Sequence, residues 1–66
     1  MILIINGEKK EFSENTTLEK VLEELGLRGK VMAAAVNMEI VKQDKWGECV
    51  LNDMDKLELL DFVGGG

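Results

Sequence analysis

Apolar residues open the chain as an unbroken run, Met1-Ile2-Leu3-Ile4-Ile5, which stops at Asn6-Gly7 and gives way to the charged stretch Glu8-Lys9-Lys10-Glu11 before Phe12. Asn-Gly between two such runs is the strongest short hairpin signal, because both turn positions need positive φ and these residues tolerate it. Strands are expected over 1–5 and 9–12. The period then changes. Leu18, Val21, Leu22 and Leu25 fall at i, i+3, i+4 and i+7, the apolar stripe of an amphipathic helix. Glu19, Lys20, Glu23 and Glu24 take the other sides. Thr16 and Glu19 match a capping box, with the Thr16 side chain accepting from the Glu19 N–H. Gly26 suits the left-handed position just past the helix end.

The next apolar run, Val31-Met32-Ala33-Ala34-Ala35-Val36, has the alanines of a helix, but it is short, bounded by valines and halted at Asn37. It reads as a buried strand, and Asn37-Met38 as a second two-residue turn from which 39–43 pairs back. Residues 44–48 read as irregular or one helical turn, 49–51 as a brief strand, and 52–55 as an Asn/Asp-rich turn. Residues 56–63 form the last strand. Hairpin, helix, second hairpin and closing strand give an α+β fold, a mixed sheet of four to five strands with one helix across one face. This is the β-grasp order. One domain is expected over 1–63, followed by a flexible glycine tail, 64–66.

Composition narrows the function. The chain has 66 residues, 45% apolar and 32% charged, a globular mix for one small domain. Its net charge of −5 argues against nucleic acid or an anionic membrane as partner. It suits docking on a positive protein surface, and it suits plain solubility equally. There is no His and only one Cys, Cys49, so the usual nucleophile–base pairs, zinc sites and internal disulfides are not available. The opening apolar run is too short for a signal-peptide core or a membrane span, and the cytoplasm is the expected compartment. No metal site is expected. Asp53, Asp55 and Asp61 read as turn and strand residues, Cys49 as a neutral thiol, Trp46 as a lid on the core, and the acidic helix face as solvated surface.

Strand alternation in the last segment puts Leu57 and Leu59 on one face, Leu60 and Phe62 on the other. If the helix covers the first pair, Leu60 and Phe62 face outward beside the tail as a docking patch. A small second core or a bulge that shifts the register is the alternative. Ala33 and Ala35 extend the patch in one register and leave it in the other.

The chain closes on Asp61-Phe62-Val63-Gly64-Gly65-Gly66. Three glycines cannot pack a core, but without Cβ atoms they can thread a narrow channel, reaching roughly 10 Å when extended. With Asn6-Gly7-Glu8, the segment 17–26, the segment 35–46 that ends at Trp46, and the segment 51–60, this tail resembles the ThiS sulfur-carrier family of the ubiquitin-like β-grasp group. The resemblance covers essentially the whole chain. Met38 stands where the family usually has Gly, Lys42 where Pro is usual, and Met54 in place of the Gly of an Asp-Gly-Asp turn.

The resemblance implies a carrier rather than a catalyst, with no cofactor of its own. A ThiF-like adenylating enzyme would use MgATP to adenylate the Gly66 carboxylate. A sulfur donor, such as a cysteine desulfurase or a rhodanese-type persulfide, would displace AMP and leave a Gly66 thiocarboxylate. A ThiG-like thiazole synthase would take that sulfur for the thiazole of thiamine. Alternatives with the same tail are a MoaD-like carrier for molybdopterin, carriers for amino-acid or tRNA thiolation, and a ubiquitin-like modifier that forms isopeptide bonds. An interaction module with an inert tail is the remaining one.

Overall fold

The structure, a computed structural model, describes residues 1–61. In chain order it contains β1 (Ile2–Ile5), β2 (Glu8–Glu11), the helix α1 (Leu18–Glu24), β3 (Val31–Val36), β4 (Glu39–Val41), a 3₁₀ helix (Gln43–Glu48) and β5 (Lys56–Asp61). The strands among the described residues form one sheet in the order β2-β1-β5-β3-β4. β1 and β5 run parallel in the middle. The two hairpins and the β3–β5 pair are antiparallel. The expected α+β architecture is therefore present, with β5 inserted between the two hairpins.

Both hairpin turns form where the dipeptides placed them. Asn6 and Gly7 have φ of 50° and 88°, and Asn37 and Met38 have 51° and 71°. Met38 holds the left-handed region despite its Cβ, at an intrinsic cost of about 1–2 kcal/mol. Met54 does the same at φ 70° in the turn before β5.

The helix starts one residue later than the capping box required. Thr17 is the N-cap, and its side chain accepts from the Lys20 N–H at 3.2 Å. Thr16 instead donates its hydroxyl to the Ser13 carbonyl and is buried. The reason lies across the chain. The Leu51 N–H donates to the Thr16 carbonyl, and the Leu18 N–H donates to the Cys49 carbonyl. This short antiparallel bridge, Thr17 opposite Val50, holds Thr17 extended, so helical geometry begins only after it. It is also all that becomes of the strand expected over 49–51. The C-terminus closes as expected: the Leu27 N–H reaches the Leu22 carbonyl and the Gly26 N–H the Glu23 carbonyl, the paired bonds of a Schellman motif, with Gly26 at φ 72°.

The core lies between the sheet and α1. Leu18, Val21 and Leu22 from the helix meet Leu3, Ile5, Val31, Ala34 and Leu57 from the strands. Trp46 closes one end of this core, buried, with its indole N–H donating to the Val41 carbonyl at 2.9 Å. Of the two expectations for this stretch, irregular or one helical turn, the helical one holds, as the 3₁₀ turn that carries Trp46 onto the core. The acidic turn is also hydrogen-bonded throughout. Asp53 accepts from the Ile2 N–H at 2.6 Å, and Asp55 accepts from the Asn52 N–H and from the Asn37 side chain.

Candidate docking face and tail base

The face of the sheet turned away from α1 has no covering layer among the described residues. Its composition follows from the register. Opposite Leu60 stands Ala33; opposite Ala35 stand Glu58 on one side and Ile40 on the other. These side chains share the outer face, whereas Leu57, Leu59, Ala34, Val36 and Val41 share the inner one. Leu60 is 58% exposed and Ile40 73%. Between them the small alanines leave a shallow groove of about 230 Å³, lined by Ala33, Ala34, Ala35, Ile40, Glu58, Leu59 and Leu60.

Leu60 thus faces outward as the alternation required, and Ala33 and Ala35 lie on its side. Ala35 is largely enclosed by its larger neighbours and contributes floor rather than exposed surface. The β-bulge falls at Met32, between the Val31 and Ala33 pairings, so it leaves the alternation from Leu57 to Leu60 intact and turns Met32 outward, half exposed. Phe62, Val63, Gly64, Gly65 and Gly66 lie outside the described residues. The sequence reading missed Ile40 and Met38. Ile40 was detectable: once Asn37-Met38 is taken as a two-residue turn, Ile40 must stand beside Ala35. Met38, 89% exposed at the hairpin tip, carries no periodic signal.

The groups that could have carried chemistry elsewhere do not assemble. The Cys49 thiol is half-buried, and burial, with the Asp55 carboxylate second, pushes its pKa above the usual value. It is a protonated thiol at neutral pH, the opposite of an activated nucleophile. Arg28 forms ion pairs with Glu23 and Glu19 on the helix, so the acidic face is partly neutralised surface. Among the described residues no cluster of His, Cys, Asp or Glu could hold a metal ion, and no helix is long and apolar enough to cross a membrane.

What this arrangement offers is a central strand with an open apolar face, followed in the sequence by Phe62, Val63 and the three glycines. The family model described as "ThiS family" matches residues 3–66, which includes that tail. The chain belongs to the ThiS family. It is 32% identical over 66 residues to the sulfur carrier protein ThiS of Bacillus subtilis, across 98% of this chain and 100% of that one. It is 44% identical over its full length to a thiazole synthase of Paramagnetospirillum magneticum, of which it spans only 20%. Among solved structures, the thiamine biosynthesis protein ThiS of Geobacter metallireducens superposes with a TM-score of 0.83 at 26% identity, covering 100% of both chains. The β-grasp expectation is met by this ThiS-family match as well as by the topology.

Proposed function

We propose that this ThiS-family chain is a sulfur carrier of thiamine biosynthesis, acted on by partners rather than acting as an enzyme. Its reactive group is the α-carboxylate of Gly66. An adenylating enzyme uses MgATP to join AMP to that carboxylate with release of pyrophosphate. A sulfur nucleophile from a persulfide donor then displaces AMP, and reduction of the resulting acyl disulfide by a thiol frees the thiocarboxylate. The observation that carries this reading is the ThiS family match over residues 3–66, tail included, beside the match of 98% of this chain to the whole of a sulfur carrier.

Each part has a physical role. The acceptor is a main-chain carboxylate, so no catalytic side chain is required of this domain. Gly64 and Gly65 lack the Cβ atoms that would collide with a channel wall. The outer face, through Leu60, Ala33 and Ala35 and with Ile40 beside them, supplies the apolar contact that holds the carrier while the tail is engaged. A thiazole synthase is the proposed sulfur acceptor. The match of this chain to one fifth of a longer thiazole synthase supports it, because a domain of this kind then occurs on the same chain as that name.

Intact-mass spectrometry tests the proposal. The untreated protein establishes whether Gly66 carries a free carboxylate. Incubation with MgATP, a sulfide source and the adenylating enzyme from the same cell should then replace one oxygen by sulfur, with fragment ions locating the change at Gly66. An unchanged mass with a demonstrably active enzyme overturns the carrier reading. Conjugates to lysine in place of the thiocarboxylate would make the chain a protein modifier.

A further inference from the structure

Asn6 and Asn37 occupy equivalent places. Each is the first residue of a two-residue turn, and each has left-handed backbone geometry, φ 50° and 51°. Each also flanks β5, from opposite sides. The Asn37 N–H donates to the Lys56 carbonyl at 2.7 Å, and the Lys56 N–H donates to the Asn37 side-chain oxygen at 3.0 Å. The Asn6 N–H donates to the Leu57 carbonyl at 2.9 Å, and the Leu59 N–H donates to the Asn6 side-chain oxygen at 2.8 Å.

In both cases the ladder calls for a main-chain carbonyl at that spot. An antiparallel pair opposite Lys56, or a parallel rung spanning Leu57 to Leu59, would use the carbonyl of the asparagine itself. The left-handed turn rotates that carbonyl away, and the carboxamide oxygen takes its place. Asn37 performs this substitution at the first residue of β5. Asn6 performs it just past the end of β1, giving the Leu59 N–H its partner on that side, while β3 pairs Leu60 and Asp61 on the other. Its amide group also donates to the Leu59 carbonyl at 3.4 Å, a longer and weaker contact. Leu59 directly precedes Leu60 of the docking face and lies just before the segment that ends in the glycines.

We propose that Asn6 is a positioning residue for carboxylate activation: its carboxamide holds the β1 side of β5 at Leu59, two residues before the strand's last pairing at Asp61, and so helps set the line from which the tail starts. This rests on the sulfur-carrier reading. Adenylation needs the carboxylate aligned with the α-phosphate of the nucleotide, and small errors of placement are costly in rate. An anchor in the second half of the strand, at Leu59, constrains the start of the tail more than one at its first residue, Lys56.

The test compares Asn6→Gly, Asn6→Asp and Asn37→Gly in steady-state adenylation with the adenylating enzyme, alongside thermal melting. Glycine keeps both turns, since it accepts positive φ, and removes only the carboxamide. Asn6→Gly should lower kcat about fivefold and leave the KM for the carrier within about twofold. Asn6→Asp keeps an oxygen for the Leu59 N–H and should recover most of that loss. Asn37→Gly should melt earlier yet adenylate at the native kcat. Native kcat in Asn6→Gly, a change confined to KM, or an equal loss in Asn37→Gly would overturn the proposal. Amide exchange at Leu59, measured in both Asn6 variants, guards against a poorly folded one: fast Leu59 exchange with native kcat also overturns it. Absence of any adenylate from the unaltered protein would be a different failure, that of the carrier reading itself.

Discussion

Leu57 and Leu60 lie on the same strand, yet the first is sealed against α1 and the second stands more than half exposed on the opposite face. On the inner face Leu3, Leu57 and Val31 interlock with Leu18, Val21 and Leu22. On the outer face Ala33 and Ala35 form a floor, with Leu60 and Ile40 rising beside it. One side is a finished core; the other has the apolar character of a core with no second layer among the described residues. The difference separates the residues that hold the fold from those left free for a partner. A domain of this size has little stability to spare, so an apolar outer face is a burden unless something covers it in use.

The contrast can be broken first where it is strongest. Leu57→Ala should destabilise the protein by about 2–5 kcal/mol, enough to populate the unfolded state in urea titration without denaturant-free margin. Trp46→Phe keeps the apolar lid and removes the indole donation to the Val41 carbonyl, and should cost about 0.5–1.5 kcal/mol in the same measurement. Leu60→Asp should leave the urea midpoint nearly unchanged, within about 0.5 kcal/mol. It should raise the carrier concentration for half-maximal adenylation about tenfold or more. If it unfolds the domain instead, the two faces are not separable.

Met38→Gly sharpens the comparison, because one residue is read in two directions. Relief of the left-handed methionine should stabilise the fold by up to about 1 kcal/mol, less the greater chain entropy of glycine when unfolded. The same change should weaken partner binding if the hairpin tip extends the outer face. The smallest effect expected is a pH dependence from Cys49. Its folded pKa is raised above the ordinary 9.0 by burial and by Asp55, so the folded state holds its proton more tightly. The associated stability is intact below pH 9.0 and falls as pH rises through the higher folded value. Melting temperatures across that alkaline range should decline less in Cys49→Ser.

Much of this was readable from the chain. Asn6-Gly7 and the stripe Leu18, Val21, Leu22 and Leu25 are local patterns, and each formed where it stood. So did the Gly26 stop and the outward turn of Leu60. The cap was placed one residue early, at Thr16, because Glu19 three residues on completes a capping box there, whereas Thr17 is followed at that spacing by Lys20. The bridge of Thr17 to Val50 overrides that local signal. Ile40 was within reach of the sequence, since the Asn37-Met38 turn fixes its place beside Ala35, but the pairing of Thr17 with Val50 joins residues no local pattern connects.

The sequence by itself determined the elements, the stripe that is buried and the glycine tail, since each depends on residues within a turn or two of one another. Only the tertiary structure decided that β5 lies between two hairpins, that both turn asparagines reach it, and which alanines floor the open face. Those features depend on hydrogen bonds between residues far apart in the chain, such as Asn6 with Leu59 and Asn37 with Lys56. Such partners meet only when hydrophobic burial has already brought the strands together.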